Sequence, residues 1–148
     1  MEIALQLVKL KEKQNFRLLL ENYWKEIDPE FNQSKIFIDK YIDYIFNNKN
    51  RKLRWIIREQ KAVGFLIYYE YSVLENQKGL HIAEFYVKKD CRRQGIGRAA
   101  MALLMRKNSH CFEYRLEALC TNSPAIEFWE KNHFSKWKYI FKKRLKGE

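Results

Sequence analysis

The hexapeptide Arg92-Arg93-Gln94-Gly95-Ile96-Gly97 holds two of the five glycines of the chain. A strand-like run, Leu80 to Val87, stands before it, and a helix-like run, Arg98 to Asn108, follows it. Glycine reaches backbone conformations closed to other residues and has no Cβ to keep a ligand away. A strand that turns through such a loop into a helix aims several backbone N–H groups at one spot, and the helix dipole adds partial positive charge. That chemistry suits phosphate. The dinucleotide fingerprint needs a third glycine at a set spacing, which Gly95 and Gly97 lack, and Gly97-Arg98-Ala99 does not supply the Gly-Lys-Ser/Thr of a Walker loop. A diphosphate held by a shorter loop fits better. Just upstream, Glu84 interrupts the apolar run Ile82-Ala83-Glu84-Phe85-Tyr86-Val87. A charge there is costly unless it faces a polar cleft.

The elements that position these residues follow from periodicity. Glu2 to Lys9 alternates Ile3, Leu5 and Leu7 with mostly polar neighbours, which predicts a strand. From Glu12 to Ile27 the residues Phe16, Leu19, Leu20, Tyr23, Trp24 and Ile27 recur at helical steps, ending near Asp28-Pro29. A second helix is predicted from Ser34, as N-cap, to Phe46, and Asn47-Asn48-Lys49-Asn50 breaks it. Leu53–Arg58 and Ala62–Val73 read as strands about a turn at Glu59-Gln60-Lys61, and Glu75–Gly79 reads as a loop. After the glycine loop and its helix comes a strand from Tyr114 to Cys120. A short helix opens at Asn122-Ser123-Pro124 and runs to Asn132. Phe134 to Leu145 supplies one or two closing strands. The order β-α-α-β-β-β-α-β-α-β(β) predicts an α/β fold with a mixed central sheet flanked by helices, in a single domain spanning residues 1–148.

Composition bounds the rest. The chain has 148 residues, enough for one substantial core, and its 47% hydrophobic content excludes disorder. No apolar stretch approaches the roughly 20 residues that span a bilayer, so no membrane partner is expected. The N-terminus does not read as a signal peptide, and Cys91, Cys111 and Cys120 are most simply reduced thiols, which places the protein in the cytoplasm. No C-x-x-C pair exists, and His81, His110 and His133 lack ligand-like spacing, so no metal is expected. The net charge of +11 serves solubility, with local density at Arg92-Arg93…Arg98 and at Lys142-Lys143-Arg144…Lys146. The first cluster would flank a bound phosphate. The tail carries no recognisable nucleic-acid motif, so nucleic acid is not an expected partner.

That element order, with Arg92-x-x-Gly95-x-Gly97 between the fourth strand and third helix, resembles the GCN5-related N-acetyltransferase (GNAT) superfamily. A second match is Asn122-x-x-Ala125-x-x-Phe128-Trp129-x-Lys131-x-x-Phe134, similar to the N-x-x-A-x-x-(L/F)-Y-x-(K)-x-G-F signature after the fifth strand. The resemblance implies a domain that binds acetyl-CoA where strands four and five splay apart. It places the pyrophosphate on the loop of Arg92, Arg93, Gln94, Gly95, Ile96, Gly97 and Arg98. Backbone groups of Phe85 and Val87 would pair with the pantetheine arm, and the Phe85 N–H would meet the acetyl carbonyl and stabilise developing negative charge. Asn122 would bond the cofactor near its pantetheine, with Phe128 beside it.

The implied reaction is direct attack of a primary amine, of a small molecule or a peptide or protein, on the thioester. An alkylammonium must first lose a proton, to a base or through a water relay. The candidates are Glu84, preferred as base or ammonium anchor, and His81; regular alternation puts them on opposite faces unless a bulge intervenes. Trp129 stands where the family commonly has a tyrosine that protonates the leaving thiolate, and His133 where it has glycine. An indole cannot supply that proton. It then comes from Tyr86, Tyr139, Cys120 or water, or the reaction does without a dedicated acid. The aromatic residues of the first two helices are where the family builds its acceptor pocket, and such domains often pair as homodimers through closing strands. The alternative is a weakly catalytic or non-catalytic CoA-binding module that contacts an acidic partner or nucleic acid through its basic surface.

Overall fold

The computed structural model describes residues 2–146. The chain divides into two compact units, Met1–Glu117 and Ala118–Glu148. The first holds a five-stranded mixed sheet in the order β1-β2-β3-β4-β5, formed by Ile3–Leu7, Lys52–Arg58, Lys61–Leu74, Gln77–Val87 and Glu113–Leu116. The first three pairings are antiparallel and β4–β5 is parallel. A parallel neighbour requires a crossover. Helix α3, Ile96–Lys107, lies in that connection.

Helices α1, Lys13–Ile27, and α2, Lys35–Asn47, pack on one face of the sheet. Their stripes place Phe16, Leu20, Ile38, Ile42 and Ile45 against Leu53, Trp55, Phe65, Ile67 and Tyr86. Phe16 has no exposed surface, and its ring meets Phe65 edge-on at 5.1 Å between centroids. Burying one such side chain contributes roughly 1.5–3 kcal/mol. Ser34 caps α2, accepting a bond from the Phe37 N–H at 3.1 Å. The opposite sheet face meets α3 through Ile56, Val63, Ile96 and Ala100. Thus Phe65 and Tyr86 face α1 and α2, while Phe85 and Val87 face α3.

Several boundaries differ from expectation. The β2–β3 turn is tighter: Glu59 and Gln60 take positive φ (51° and 67°), and Lys61 already pairs with Arg58. Two left-handed residues match the twist of a hairpin. Glu75–Gly79 is mostly strand, because Asn76 turns the chain with φ 65° and β4 begins at Gln77. Gly79 belongs to β4 because the Tyr71 ring lies over it; an added Cβ would sit 2.3 Å from Tyr71 Cζ. Strand β5 ends at Leu116 rather than Cys120, since its ladder with β4 stops at the Ile82–Leu116 pair. Helix α3 starts two residues before Arg98, directly after Gly95.

The closing strands over 134–145 do not form: among the described residues beyond Phe134 there is no strand. Alternation in Trp137, Tyr139 and Phe141 satisfies the sequence pattern, yet these side chains are 90%, 77% and 92% exposed. A strand needs a ladder as well as a pattern. No helix among the described residues is long and apolar enough to cross a membrane. Cys91, Cys111 and Cys120 are all free thiols.

Candidate active site

Strand β4 carries the candidate catalytic side chains, and one irregularity sets their direction. Ile67 pairs with Glu84, but the next β3 residue, Tyr68, pairs with Ile82, so Ala83 is an extra residue. This bulge restores phase over three positions. Glu84 opposite Ile67 and His81 opposite Tyr69 therefore share the face covered by α1 and α2. Simple alternation separates them; the bulge at Ala83 brings them together. Beyond that bulge β4 runs on to Val87, while β5 has already ended at Leu116. The two strands part beside Glu84.

Glu84 is a half-buried carboxylate held by two tyrosines. The Tyr41 hydroxyl of α2 donates to its Oε2 at 3.0 Å, and Tyr23 of α1 also bonds it. Burial raises its pKa above the ordinary carboxylate value, against the lowering effect of Tyr23, Tyr41 and the Arg51 charge. Such a carboxylate is a stronger proton acceptor than a solvated one. Both tyrosine hydroxyls are pushed well above their usual range by burial and by Glu84, so they remain donors.

His81 differs. Arg115 Nε donates to its Nδ1 at 3.0 Å, and its ring lies against Tyr69 at 5.0 Å. The bond uses the acceptor nitrogen and leaves Nε2 as the N–H side. Burial, then the Arg115 charge, pushes its pKa down. With its lone pair committed to Arg115, the imidazole is poorly placed to take a proton. Of the two side chains, Glu84 alone has its proton affinity raised.

Removing the Tyr41 hydroxyl tests this environment. Tyr41→Phe deletes a bond that favours the ionised carboxylate. The acidic limb of a rate–pH profile should move to higher pH, with a larger loss of rate on the acidic side than on the alkaline side. An unmoved limb would detach Tyr41 from the titrating group.

The loop between β4 and α3 is built for an anion. After a 3-10 turn at Lys89–Cys91, Arg93 and Gly95 take positive φ (61° and 79°), and Gly95 is the residue before the helix. Ala99 N–H makes the first intrahelical bond, to the Gly95 carbonyl at 3.0 Å. The amides of Ile96, Gly97 and Arg98 precede it and have no intrahelical acceptor. Gln94 is pinned from both sides, by Arg58 Nη1 on its Oε1 and by its own Nε2 on the Asp90 carbonyl. Arg92 is occupied otherwise than by a phosphate: its Nε donates to the Val87 carbonyl at 2.8 Å and its Nη2 pairs with Glu26 at 2.6 Å. Arg93 on the loop and Arg98 in the first turn of α3 are exposed. Tyr86, a proposed acid, donates to Glu26 at 2.7 Å, and burial and that carboxylate push its pKa up. Neither change favours proton release.

In the second unit, helix α4, Ser123–Lys131, starts at Asn122, whose side chain accepts from Ala125 N–H at 3.3 Å. It ends in a Schellman arrangement: His133 N–H bonds the Glu130 carbonyl and Phe134 N–H bonds that of Trp129. Trp129 is 9% exposed, with rings of Phe128 and Phe134 at 4.9 and 5.2 Å. His133 holds φ 69°, the left-handed position that glycine fills without strain. His133→Gly should therefore stabilise the protein by about 1 kcal/mol, read as a raised midpoint in thermal unfolding. An unchanged or lowered midpoint would show that the imidazole offsets the strain.

Tyr23 and Tyr41 belong to the aromatic residues expected to line an acceptor pocket, whereas nothing in the sequence marks Arg51 and Arg115 as site residues. A tyrosine among the apolar residues of α2, such as Tyr41, signals a polar end to satisfy. Two open depressions lie away from Glu84: one along β1, the β2–β3 turn and Gln94, the other between α1 and Lys88–Asp90. Glu70, His110 and Cys111 also place ligand-type atoms within 4.8 Å of one another, a grouping their spacing does not announce. The His110–Glu70 contact at 2.8 Å accounts for two of the three.

Known proteins share this architecture. The chain is similar in fold to a possible acetyltransferase from Clostridium difficile 630, with TM-score 0.79, 17% identity and full coverage of both chains (100% and 100%). A ribosomal-protein-alanine N-acetyltransferase from Brucella melitensis biovar Abortus 2308 aligns with TM-score 0.75 and 18% identity over 97% of this chain and 99% of that one. AAC(6')-Iy, in complex with a bisubstrate analog containing CoA and acetylneamine, aligns with TM-score 0.74 and 12% identity over 99% and 100%. No curated protein matches the chain. The pattern of the Acetyltransferase (GNAT) family matches residues 16–134, and the chain belongs to that family.

Proposed function

We propose that residues 1–148 form one N-acetyltransferase domain that moves the acetyl group of acetyl-CoA to a primary amine of a small molecule, peptide or protein. The observation that carries this reading is Glu84: a half-buried carboxylate, tuned toward proton affinity, at the place where β4 and β5 part. The family pattern runs from the first unit into the second, which supports reading them as one domain.

Acetyl-CoA supplies the activated acyl group. The loop fits its diphosphate on structural grounds, since Ile96, Gly97 and Arg98 present helix-initial amides beside a glycine with left-handed backbone. Gln94, pinned by Arg58, keeps the loop in shape. Arg93 and Arg98 add charge, whereas Arg92 fastens the loop to β4 and α1. The main chain of Phe85 and Val87 is assigned to the pantetheine arm, with Phe85 N–H aimed at the acyl oxygen. Asn122 and Phe128 are assigned to the same arm, as the resemblance implies.

Glu84 binds the incoming ammonium and takes its proton, with Tyr23 and Tyr41 fixing the carboxylate's orientation. His81, oriented by Arg115, presents its Nε2–H as a donor rather than a base. Tyr86 is committed to Glu26 and Trp129 is packed among rings, so neither acts as the acid, which leaves Tyr139, Cys120, water or no dedicated acid. Amine-dependent release of free CoA thiol, with the acetylated amine identified by mass spectrometry, tests this function. Tight CoA binding without transfer to any amine would instead support a binding module.

A further inference from the structure

Arg51, between α2 and β2, is half-buried and holds its guanidinium 4.2 Å from the Tyr69 ring centroid and 5.7 Å from that of Tyr44. Other half-buried arginines have acceptors: Arg17 pairs with Glu21, Arg54 with the Leu53 carbonyl and Arg58 with Gln94. Among the described residues the Arg51 guanidinium forms no direct ion pair and no side-chain hydrogen bond, although its charge acts on Glu84 from farther off. The two rings hold the cation by their π faces, a contact that does not use up its N–H donors. That edge matches a carboxylate's two oxygens.

The surroundings connect this cation to Glu84. Tyr44 lies one turn beyond Tyr41, which bonds Glu84, and Tyr69 stacks on His81. Tyr69 and Ile67 are the β3 partners of His81 and Glu84, two positions apart. Two strand residues span about 7 Å. The geometry points to Arg51 as the anchor for a carboxylate on the acceptor, set several bonds from the amine that Glu84 receives. The acceptor class is thus an ω-amino acid, or a peptide whose reacting amine and carboxylate belong to different residues. In an α-amino acid those two groups lie too close together to reach both partners. This inference rests on Glu84 as the amine site.

The test compares ε-aminocaproate with its uncharged amide, in acetyl transfer by the wild-type protein, Arg51→Gln and Arg51→Lys, each checked for folding by thermal melting. Wild type should favour the carboxylate in kcat/KM by about ten-fold or more, as expected for a charge-assisted pair. Arg51→Gln should bring the ratio close to one, and Arg51→Lys should keep part of it. Equal use of both probes by wild type, or equal losses on both in Arg51→Gln, overturns the anchor while leaving amine acetylation standing. If neither probe is acetylated, transfer to other amines decides the reading of Glu84. Calorimetric binding of the two probes then decides the anchor: preference for the carboxylate that vanishes in Arg51→Gln supports it, and equal affinity overturns it.

Discussion

Glu84→Gln should lower amine acetylation by about a hundredfold to ten-thousandfold, the range for removing a general base, while CoA affinity stays nearly intact. Glutamine keeps the shape of the side chain and still accepts from Tyr41 through its amide oxygen, so the pocket need not collapse. The sign of the stability effect follows from the pKa. Burial raises it in the folded protein, so the stabilisation linked to Glu84 is present at low pH and is lost as pH rises through the folded value. At neutral pH the ionised form opposes folding, and the neutral glutamine should melt no lower than wild type. In wild type the rate should rise with pH as the carboxylate ionises, along a limb set above the ordinary glutamate value, and that limb should disappear in the variant. Unchanged turnover would remove Glu84 from the mechanism.

Gly95→Val should weaken CoA binding about ten-fold or more. The position has φ 79°, where an L-residue incurs roughly 1–2 kcal/mol of strain and a β-branched one is a genuine outlier. That strain falls on the residue that opens α3 and aims its first amides. Gly95→Asn, which tolerates the left-handed region, should lose less. Calorimetric titration with CoA measures both. The ordering wild type, Asn, Val is the expected one, and equal affinities would separate the loop from the cofactor.

Local signals in the sequence were enough for the helices and most of the sheet. Phe16, Leu20, Ile38, Ile42 and Ile45 recur at helical steps and all become core. Ser34 before α2 and Asn122 before α4 announce caps that form. Boundaries failed where a distant residue decides. Gly79 reads as a loop residue until the Tyr71 ring is seen lying over it. The strand expected up to Cys120 ends where its ladder runs out, and the tail expected to close the sheet has a pattern without a ladder.

The candidate site divides in the same way. Glu84 stood out because a charge interrupts an apolar strand next to a glycine loop. Its relation to His81 did not, since one unpaired residue, Ala83, reverses the phase between them. Tyr23, Tyr41 and Arg51 reach Glu84 from other elements, and Arg92 is drawn aside by Glu26 from α1. Contacts between residues far apart in sequence leave no local trace.

Cofactor and acceptor amine are expected to meet at the parting of β4 and β5, beside Glu84. A crystal structure of the protein with CoA is the decisive measurement. The pyrophosphate should lie on the amides of residues 94–98 and the thiol end between Phe85 and the end of β5, with room for an amine between sulfur and the Glu84 carboxylate. CoA seated elsewhere, or with its sulfur beyond the reach of any amine bound to Glu84, would contradict it.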